Sequence, residues 1–136
     1  MDNCIFCKIA KGDIPSTTLY EDEDFKVIFD ISPASPGHVL ILPKTHHQDV
    51  CDLPEALGGK VMALAARIGK AMKTGLPCDG FHLVQNNGTA AGQTVFHFHM
   101  HVIPRRKGDK EIVIWEPGTA DSETLKKMAA DISTQM

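Results

Sequence analysis

Three histidines that alternate with apolar residues are the side chains best placed to do chemistry. They are His97, His99 and His101, in the segment His-Phe-His-Met-His-Val-Ile at positions 97–103. On a β-strand all three imidazoles would share one face, with neighbours about 6.5–7 Å apart. Imidazole titrates near neutral pH, ligates zinc and serves as a nucleophile. The row therefore indicates a nucleophilic or acid–base site, a metal site, or a polar strand face turned to solvent.

The segment ahead of these histidines is rich in hydrogen-bond donors. Its small and amide residues are Asn86, Asn87, Gly88, Gly92, Gln93 and Thr94. Side-chain amides, a hydroxyl and unobstructed backbone N–H groups suit an anionic oxygen such as a phosphate. A hairpin loop with ordinary turn chemistry is the alternative. Donors next to a candidate nucleophile form a more specific combination than either part alone.

Two of the four cysteines, Cys4 and Cys7, form a C-x-x-C pair, whereas Cys51 and Cys78 stand alone. The N-terminus lacks the basic start and apolar stretch of a secretory signal, so we expect reduced thiols and a cytoplasmic protein. A redox motif of this type needs a βαβ context after a strand, and this pair opens the chain instead. The pair is therefore either half of a zinc site or two unrelated thiols.

The elements that must position these residues follow from the hydrophobic pattern. We predict a strand, a tight acidic turn and a second strand over 17–31, strands over 38–43, 81–86 and 95–103, and helices over 54–74 and 122–133. This order predicts an α+β fold with a mainly antiparallel sheet, one long helix and a short C-terminal helix.

The long helix has one apolar face, and the residues between the histidines should cover it. The apolar residues of the helix are Leu57, Val61, Leu64, Ala65, Ile68 and Met72, and those of the histidine strand are Phe96, Phe98, Met100 and Val102. Asp52 and Glu55 resemble a capping box at the start of the helix, and Gly75 with Pro77 should end it.

Length and composition limit the classes of function. A chain of 136 residues with 43% hydrophobic and 23% charged residues fits one globular domain. Its net charge of −3 disfavours sequence-independent binding to nucleic acid, which needs a basic face. The sequence has no apolar run of the ~18 residues that a membrane-spanning helix needs, so we expect no membrane association through such a helix.

The motifs together resemble the histidine triad (HIT) superfamily. Its signature alternates three histidines with apolar residues and ends in two apolar residues, as positions 97–103 do. The run 86–96 resembles the family's phosphate-binding approach, and segments 29–33 and 38–46 resemble its two central N-terminal segments. The resemblance covers roughly 4–105 of a single domain, 1–136, and leaves about 106–136 as a C-terminal extension. The short length and the third histidine favour the Hint-like branch.

The resemblance implies a five-stranded sheet and a role for each matching residue. His99 would be the nucleophile that attacks the α-phosphorus of a nucleotide, its other ring nitrogen held by an acceptor such as a backbone carbonyl. The residues that match phosphate-binding positions are Asn86, Gly92, Gln93, Thr94 and His101. Asp30 would bind the ribose, Ile31 would contact the base with Phe6 and Phe25 as neighbours, and His38 would orient the triad.

A zinc site is also implied, because many short HIT proteins have a Cys-Cys-His-His set. Its ligands here would be Cys4, Cys7, His46 and His97. Such a site would be closed, tetrahedral and structural, so the chemistry itself would need no metal. His97 would then leave the catalytic role.

The function implied is that of a hydrolase or transferase of the purine nucleoside phosphoramidase type. The substrate would be a purine nucleotide, as a nucleoside 5′-phosphoramidate or a related adenylate, and a nucleotidyl-histidine would form. A dinucleoside polyphosphate hydrolase, a nucleotide-binding regulator with vestigial catalysis and a purely structural zinc protein are the alternatives. The resemblance further implies a homodimer, whose two-fold interface we expect at 76–85 and the neighbouring helix.

Overall fold

The computed structural model describes residues 3–136, and these form one antiparallel sheet with helices on both faces. The elements in chain order are α1 (Ile5–Lys11), β1 (Thr18–Glu21), β2 (Phe25–Phe29), β3 (Val39–Pro43), α2 (Glu55–Gly75), β4 (Gly80–Val84), β5 (Met100–Arg105) and α3 (Ser122–Ser133). The five strands lie in the order β1-β2-β3-β5-β4. The predicted α+β fold is confirmed. No helix within residues 3–136 is both long enough and apolar enough to cross a membrane.

The N-terminal hairpin closes through one carboxylate. Asp22 Oδ1 accepts the backbone N–H groups of Asp24 and Phe25, each at 2.8 Å, so the acidic turn holds β1 against β2. Strand β3 then pairs with β2 along its whole length and is buried throughout. A strand covered on both sides must be apolar, as the predicted run at 38–43 indicated.

Helix α2 packs on one face of the sheet, and its apolar residues build the main core. The buried residues of that core are Phe25, Val27, Val39, Ile41, Val61, Leu64, Ala65, Ile68, Met72, Phe98, Met100 and Val102. The predicted capping box is wrong: Pro54 is the N-cap and provides no side-chain hydrogen bond. The Asp52 carboxylate instead accepts the Gln48 N–H at 3.0 Å.

Helix α1 lies on the other face of the sheet, where no helix was predicted. Phe6 and Ile9 pack there with Leu40 and Leu42 in a second, smaller core. The helix has only seven residues and is capped at its C-terminus by Gly12, whose φ of 88° is left-handed. A helix this short carries too few apolar positions to display a period, which explains why the sequence pattern missed it.

The histidine segment is a strand only in its second half. We predicted a strand over 95–103, but β5 begins at Met100. The Phe98 N–H donates to the carbonyl of His47 at 2.6 Å, outside any strand ladder. Phe98 still packs on the α2 side, so the alternation of faces holds. Phe96 does not cover α2 as predicted, since 43% of it is exposed.

The C-terminal segment contains α3, whose bounds are those predicted for the helix over 122–133. The Asp121 carboxylate caps α3 by accepting the Thr124 N–H at 3.1 Å. All residues of 107–136 are exposed, including the apolar side chains of Leu125, Met128 and Ile132. The segment therefore adds nothing to either core.

Candidate active site and metal centre

The three triad histidines lie on the α1 face of the sheet, opposite α2. His97 and His99 are buried, with 0% and 9% exposure, and His101 is half-buried. The rings of His99 and His101 are 5.1 Å apart between centroids. The ring of Phe6 meets that of His99 edge-on at 5.0 Å, so α1 forms one wall beside the central histidine.

The tautomer of His99 is fixed by its own backbone neighbour. Nδ1 lies 2.8 Å from the carbonyl oxygen of His97. Because a carbonyl oxygen only accepts, Nδ1 carries the proton and Nε2 keeps its lone pair. Burial lowers the pKa of His99, so the ring is neutral at pH 7. His99 therefore presents a free, neutral nucleophilic nitrogen.

His38 and His101 form a directed hydrogen-bond chain beside it. The Ala34 N–H donates to His38 Nδ1 at 3.0 Å, so the proton of neutral His38 is on Nε2. That nitrogen lies 2.9 Å from His101 Nδ1 and donates to it. The proton of His101 is then on Nε2. Burial, followed by the nearby His99 and His38, lowers the pKa of His101 to about 4.

Asp30 stands at the end of β2 next to this chain. Its Oδ1 accepts the Ser32 N–H at 2.8 Å, and its Oδ2 lies 3.6 Å from His38 Nε2. The neighbouring Ile31 is 99% exposed, which leaves an apolar side chain free beside a carboxylate. Phe25, predicted near the base, packs in the α2 core and so lies on the wrong face of the sheet.

The predicted phosphate loop, which we define as residues 86–94, is a tight turn between β4 and the histidine segment. Gly88 and Gly92 both have a left-handed φ, 87° and 88°, which favours glycine. A Cβ built on Gly92 would lie 3.9 Å from Asn86 Nδ2, so these two predicted residues are neighbours. Thr94 is exposed on the same loop.

Gln93 is the exception among the predicted phosphate residues, because its polar groups all point to the backbone. It is only 3% exposed. Its Nε2 donates to the carbonyls of Gln48 at 2.8 Å and Val95 at 3.1 Å, and its Oε1 accepts the Gly88 N–H at 2.8 Å. Its own N–H donates to the Gly88 carbonyl at 3.1 Å.

The four predicted zinc ligands converge. The ligand atoms of Cys4, Cys7, His46 and His97 all lie within 4.8 Å of one another. Cys7 Sγ is 3.3 Å from His46 Nδ1 and 3.4 Å from His97 Nδ1. A tetrahedral zinc with ordinary Zn–S and Zn–N bonds sets sulfur and nitrogen about 3.5 Å apart. The donor set and its spacing therefore fit zinc.

The outer contacts of this cluster also suit a metal. His97 Nε2 donates to the Pro43 carbonyl at 2.9 Å, which turns Nδ1 toward the two sulfurs. A ligating histidine is usually oriented by a hydrogen bond of this kind. Burial, followed by the thiol of Cys4, raises the pKa of the Cys7 thiol. Zinc would offset that cost by binding the thiolate.

A second group of possible ligands, Asp30, His38 and His101, fits a metal less well. Their ligand atoms also lie within 4.8 Å of one another. Because His38 Nδ1 accepts the Ala34 N–H, a metal on Nε2 would have to displace the only ring proton. His38 and His101, with Asp30 beside them, therefore form a hydrogen-bond chain that fixes the ring protons, and they are not a metal centre.

Sequence reasoning placed the side chains but could not place the backbone groups that orient them. The Ala34 N–H and the carbonyls of Pro43 and His97 each fix one ring. A backbone carbonyl was expected to hold His99, but no residue type identifies which one. His47 and His82 belong to neither histidine cluster within the described residues.

Known proteins share this architecture. The family model described as HIT domain matches residues 11–108. A HIT family protein of Bacillus anthracis superposes with a TM-score of 0.91 at 39% identity, covering 99% of this chain and 98% of that one. A zinc-bound histidine triad family protein of Mycobacterium smegmatis gives 0.79 at 41% identity, covering 99% of both chains.

One relative has a name that states an enzymatic activity. The adenosine 5′-monophosphoramidase HNT1 of Saccharomyces cerevisiae is 37% identical over 134 residues, which is 98% of this chain and 82% of that protein. The family match spans most of the chain, and the similarity to solved structures extends over nearly all of it. With the alternating histidines gathered on one sheet face, this chain belongs to the HIT family.

Proposed function

We propose that this protein is a nucleotide hydrolase that cleaves nucleoside 5′-phosphoramidates or related adenylates at the α-phosphate, with His99 as the covalent nucleophile. The observation that carries the proposal is the hydrogen bond from His99 Nδ1 to the His97 carbonyl, 2.8 Å long. It leaves Nε2 unprotonated and fixed in direction, as a nucleophile must be. The yeast relative is named a phosphoramidase, which supports the substrate class.

The reaction would proceed in two displacements. His99 Nε2 forms a bond to the α-phosphorus while the phosphorus–nitrogen bond breaks, and the departing amine takes up one proton from solvent. The positive charge that develops on the imidazole is stabilised through Nδ1–H by the His97 carbonyl. Water then attacks the same phosphorus as the bond to His99 Nε2 breaks, and it gives up one proton to solvent. This step releases the nucleoside monophosphate and restores neutral His99.

The groups around His99 have matching roles in this proposal. His101 directs its Nε2–H outward, because Nδ1 is occupied by His38, and it would donate to a phosphate oxygen. Asn86, Gly92 and Thr94 would hold the other phosphate oxygens from the phosphate loop. The Asp30 carboxylate would accept the ribose hydroxyls, and the exposed Ile31 would contact a purine base.

We propose zinc as a structural ion held by Cys4, Cys7, His46 and His97. When bound, it would supply no chemistry to the substrate, because four protein ligands close its coordination. It would join α1 to the residue that begins the histidine segment. The zinc-bound relative and the convergent ligand atoms support this assignment.

A turnover assay over a small panel tests the function. Adenosine 5′-phosphoramidate, lysyl-adenylate and diadenosine polyphosphates should be compared at equal concentration. We expect the phosphoramidate and the adenylate to be cleaved faster, and rapid quenching should trap a nucleotidyl group on His99. Faster cleavage of the polyphosphates would indicate a dinucleoside polyphosphate hydrolase instead. Nucleotide binding without turnover would indicate a regulator. A protein with no affinity for nucleotides would be a structural zinc protein.

A further inference from the structure

Gln93 occupies the junction between the phosphate loop and a second loop that follows the zinc ligand His46. We call residues 46–50 the His46 loop. The side chain of Gln93 reaches across to the Gln48 carbonyl at 2.8 Å and also donates to the Val95 carbonyl at 3.1 Å. Both amide hydrogens are therefore used, and at 3% exposure no water replaces either contact readily.

The same side chain closes the turn of the phosphate loop. Gly88 donates its N–H to Gln93 Oε1 at 2.8 Å, and the Gly88 carbonyl accepts the Gln93 N–H at 3.1 Å. These two bonds join Gly88 to Gln93 across the turn within the phosphate loop. Gly88 and Gly92 have no side chains, so the other bonds within this turn are backbone ones, from the Ala91 N–H to the Gly88 carbonyl and from the Gly92 N–H to the Thr89 carbonyl.

Two further hydrogen bonds connect the His46 loop to the same region. The Val50 N–H donates to Asn87 Oδ1 at 2.8 Å. The Phe98 N–H donates to the His47 carbonyl at 2.6 Å, next to the two buried triad histidines. The His46 loop therefore contacts the phosphate loop at Asn87 and Gln93 and also contacts the histidine segment.

We propose that Gln93 is a positioning residue that fixes the phosphate loop relative to His99, and that its side chain does not itself touch the phosphate. The proposal rests on the proposed function for the identity of the bound anion. Its basis is that both donors and the backbone N–H of Gln93 already have protein partners. The donors for phosphate would instead be those of Asn86, Gly92 and Thr94, held in place by Gln93 through Gly88 and Gln48.

The test compares a ligand with a phosphate and one without. In Gln93→Met, which has a similar volume but no amide, the Gln48 and Val95 carbonyls lose a donor. We expect the affinity for adenosine 5′-monophosphate, measured by calorimetry, to fall by about tenfold or more, because an unmet buried acceptor distorts the loop. The affinity for adenosine should change by less than about twofold, since Asp30 and Ile31 lie elsewhere. Gln135→Glu, an exposed change in the C-terminal segment, is the control.

A double-mutant cycle separates positioning from direct contact. Asn87→Ala removes the acceptor for Val50 and should weaken binding of the monophosphate selectively. If both residues fix one loop, the double variant Gln93→Met/Asn87→Ala should lose less than the product of the two single losses. Strictly multiplicative losses, or unchanged affinity in Gln93→Met, would overturn the proposal. Should Gln93→Met fail to fold, the isosteric Gln93→Glu replaces it, with a carboxylate facing two carbonyls.

The outcomes also separate this inference from the proposed function. A wild-type protein that binds the monophosphate but cleaves no phosphoramidate contradicts the proposed function and leaves the Gln93 cycle interpretable. If the wild-type protein cleaves the phosphoramidate and the Gln93→Met variant has the same affinity for the monophosphate, only the positioning role is contradicted. Absence of any binding of the monophosphate to the wild type overturns both.

Discussion

At the residue scale, hydrogen bonds to backbone groups, directly or through His38, determine which ring nitrogen of each site histidine carries the proton. The His97 carbonyl orders His99, the Ala34 N–H orders His38, and His38 in turn orders His101. Each imidazole is therefore neutral and has one defined donor and one defined acceptor. This explains how three neighbouring basic groups share a half-buried face without charge repulsion.

Replacement of His99 by alanine should remove nearly all turnover and leave nucleotide binding largely intact. The phosphate contacts would come largely from the loop at 86–94, with one from His101, and the substitution leaves these residues in place. Loss of a covalent nucleophile costs on the order of 8 kcal/mol where it has been dissected in other enzymes. Single-turnover kinetics with adenosine 5′-phosphoramidate and calorimetry with the monophosphate would measure the two effects.

The matched control is His82→Ala, because His82 lies on β4 and belongs to neither histidine cluster. It should retain wild-type turnover. A His99→Ala protein that keeps a tenth of normal activity would exclude covalent catalysis by His99.

Stability should fall as the pH drops below 6.5. Burial lowers the pKa of His101 from 6.5 to about 4 and also lowers that of His38. The unfolded chain then binds more protons than the folded protein within this window, so acid favours unfolding. Above pH 6.5 both states carry neutral histidine, and this contribution is constant.

Urea unfolding at several pH values would measure the effect. His101→Asn should show a shallower dependence of the free energy of unfolding on pH between 6.5 and 4. Any loss of zinc on acidification affects both proteins alike, so the difference between the two slopes isolates His101. Equal slopes would contradict the assigned shift.

At the element scale, the sequence predicted the long elements closely and missed features set by tertiary contacts. The hydrophobic period located α2 and the C-terminal helix within a residue of their observed bounds. Helix α1 was missed because seven residues show no clear period. The start of β5 was misplaced because the Phe98 N–H donates to the carbonyl of His47, which is 51 residues away in sequence, and no local pattern indicates that contact.

Helix α1 also shows which part of the proposed zinc site a sequence can predict and which part it cannot. The Cys4 thiol accepts the Cys7 N–H at 3.3 Å, so the cysteine pair caps the helix as well as facing the histidines. The resemblance to a known family gave the ligand set. The helix that turns both sulfurs to one side became visible only in the structure.

Removal of zinc should destabilise the fold more than it impairs chemistry per folded molecule. The ion would link α1 to His46 and His97, and would add to the contacts that α1 makes through the small second core and through the Phe6 ring beside His97 and His99. For a chain of this size, losing ~3 kcal/mol corresponds to a decrease in Tm of roughly 10 °C.

The variant Cys4→Ser/Cys7→Ser should show that decrease and bind no zinc by metal analysis. Cys51→Ser, which changes an exposed thiol outside the cluster, is the matched control and should keep both properties. If the wild-type protein contains zinc and the double variant nevertheless has the same Tm, the ion contributes no stability.

At the scale of the whole molecule, the β4 edge of the sheet is open among residues 3–136 and carries exposed apolar side chains. Strand β4 is the last strand in the sheet order and pairs only with β5 within residues 3–136. Leu83 within β4 is 36% exposed, and Leu76 just before the strand is 40% exposed. An apolar groove of about 470 Å³ lies along α2 on the β1–β2 side of the sheet, away from β4, and is lined in part by Tyr20, Phe29 and Leu76.

An open strand edge next to exposed leucines is a surface that proteins normally cover. Pairing β4 with β4 of a second copy about a two-fold axis would complete the ladder and bury both leucines. A two-fold dimer is the commonest assembly, and it places the same surface on both sides of the contact. We therefore propose that residues 76–85 and α2 form a homodimer interface, as the sequence resemblance implied.

Sedimentation equilibrium at micromolar concentration should give a mass of about twice the 14.8 kDa of one chain. Leu83→Arg places a charge at the centre of the proposed interface and should shift the mass toward 14.8 kDa. Ile5→Arg makes the same change at an exposed position on α1 and should remain dimeric. A wild-type mass near that of a single chain would exclude the interface. A dimer that persists in Leu83→Arg would place the contact elsewhere on the molecule, because two arginines facing each other across a paired strand destabilise it.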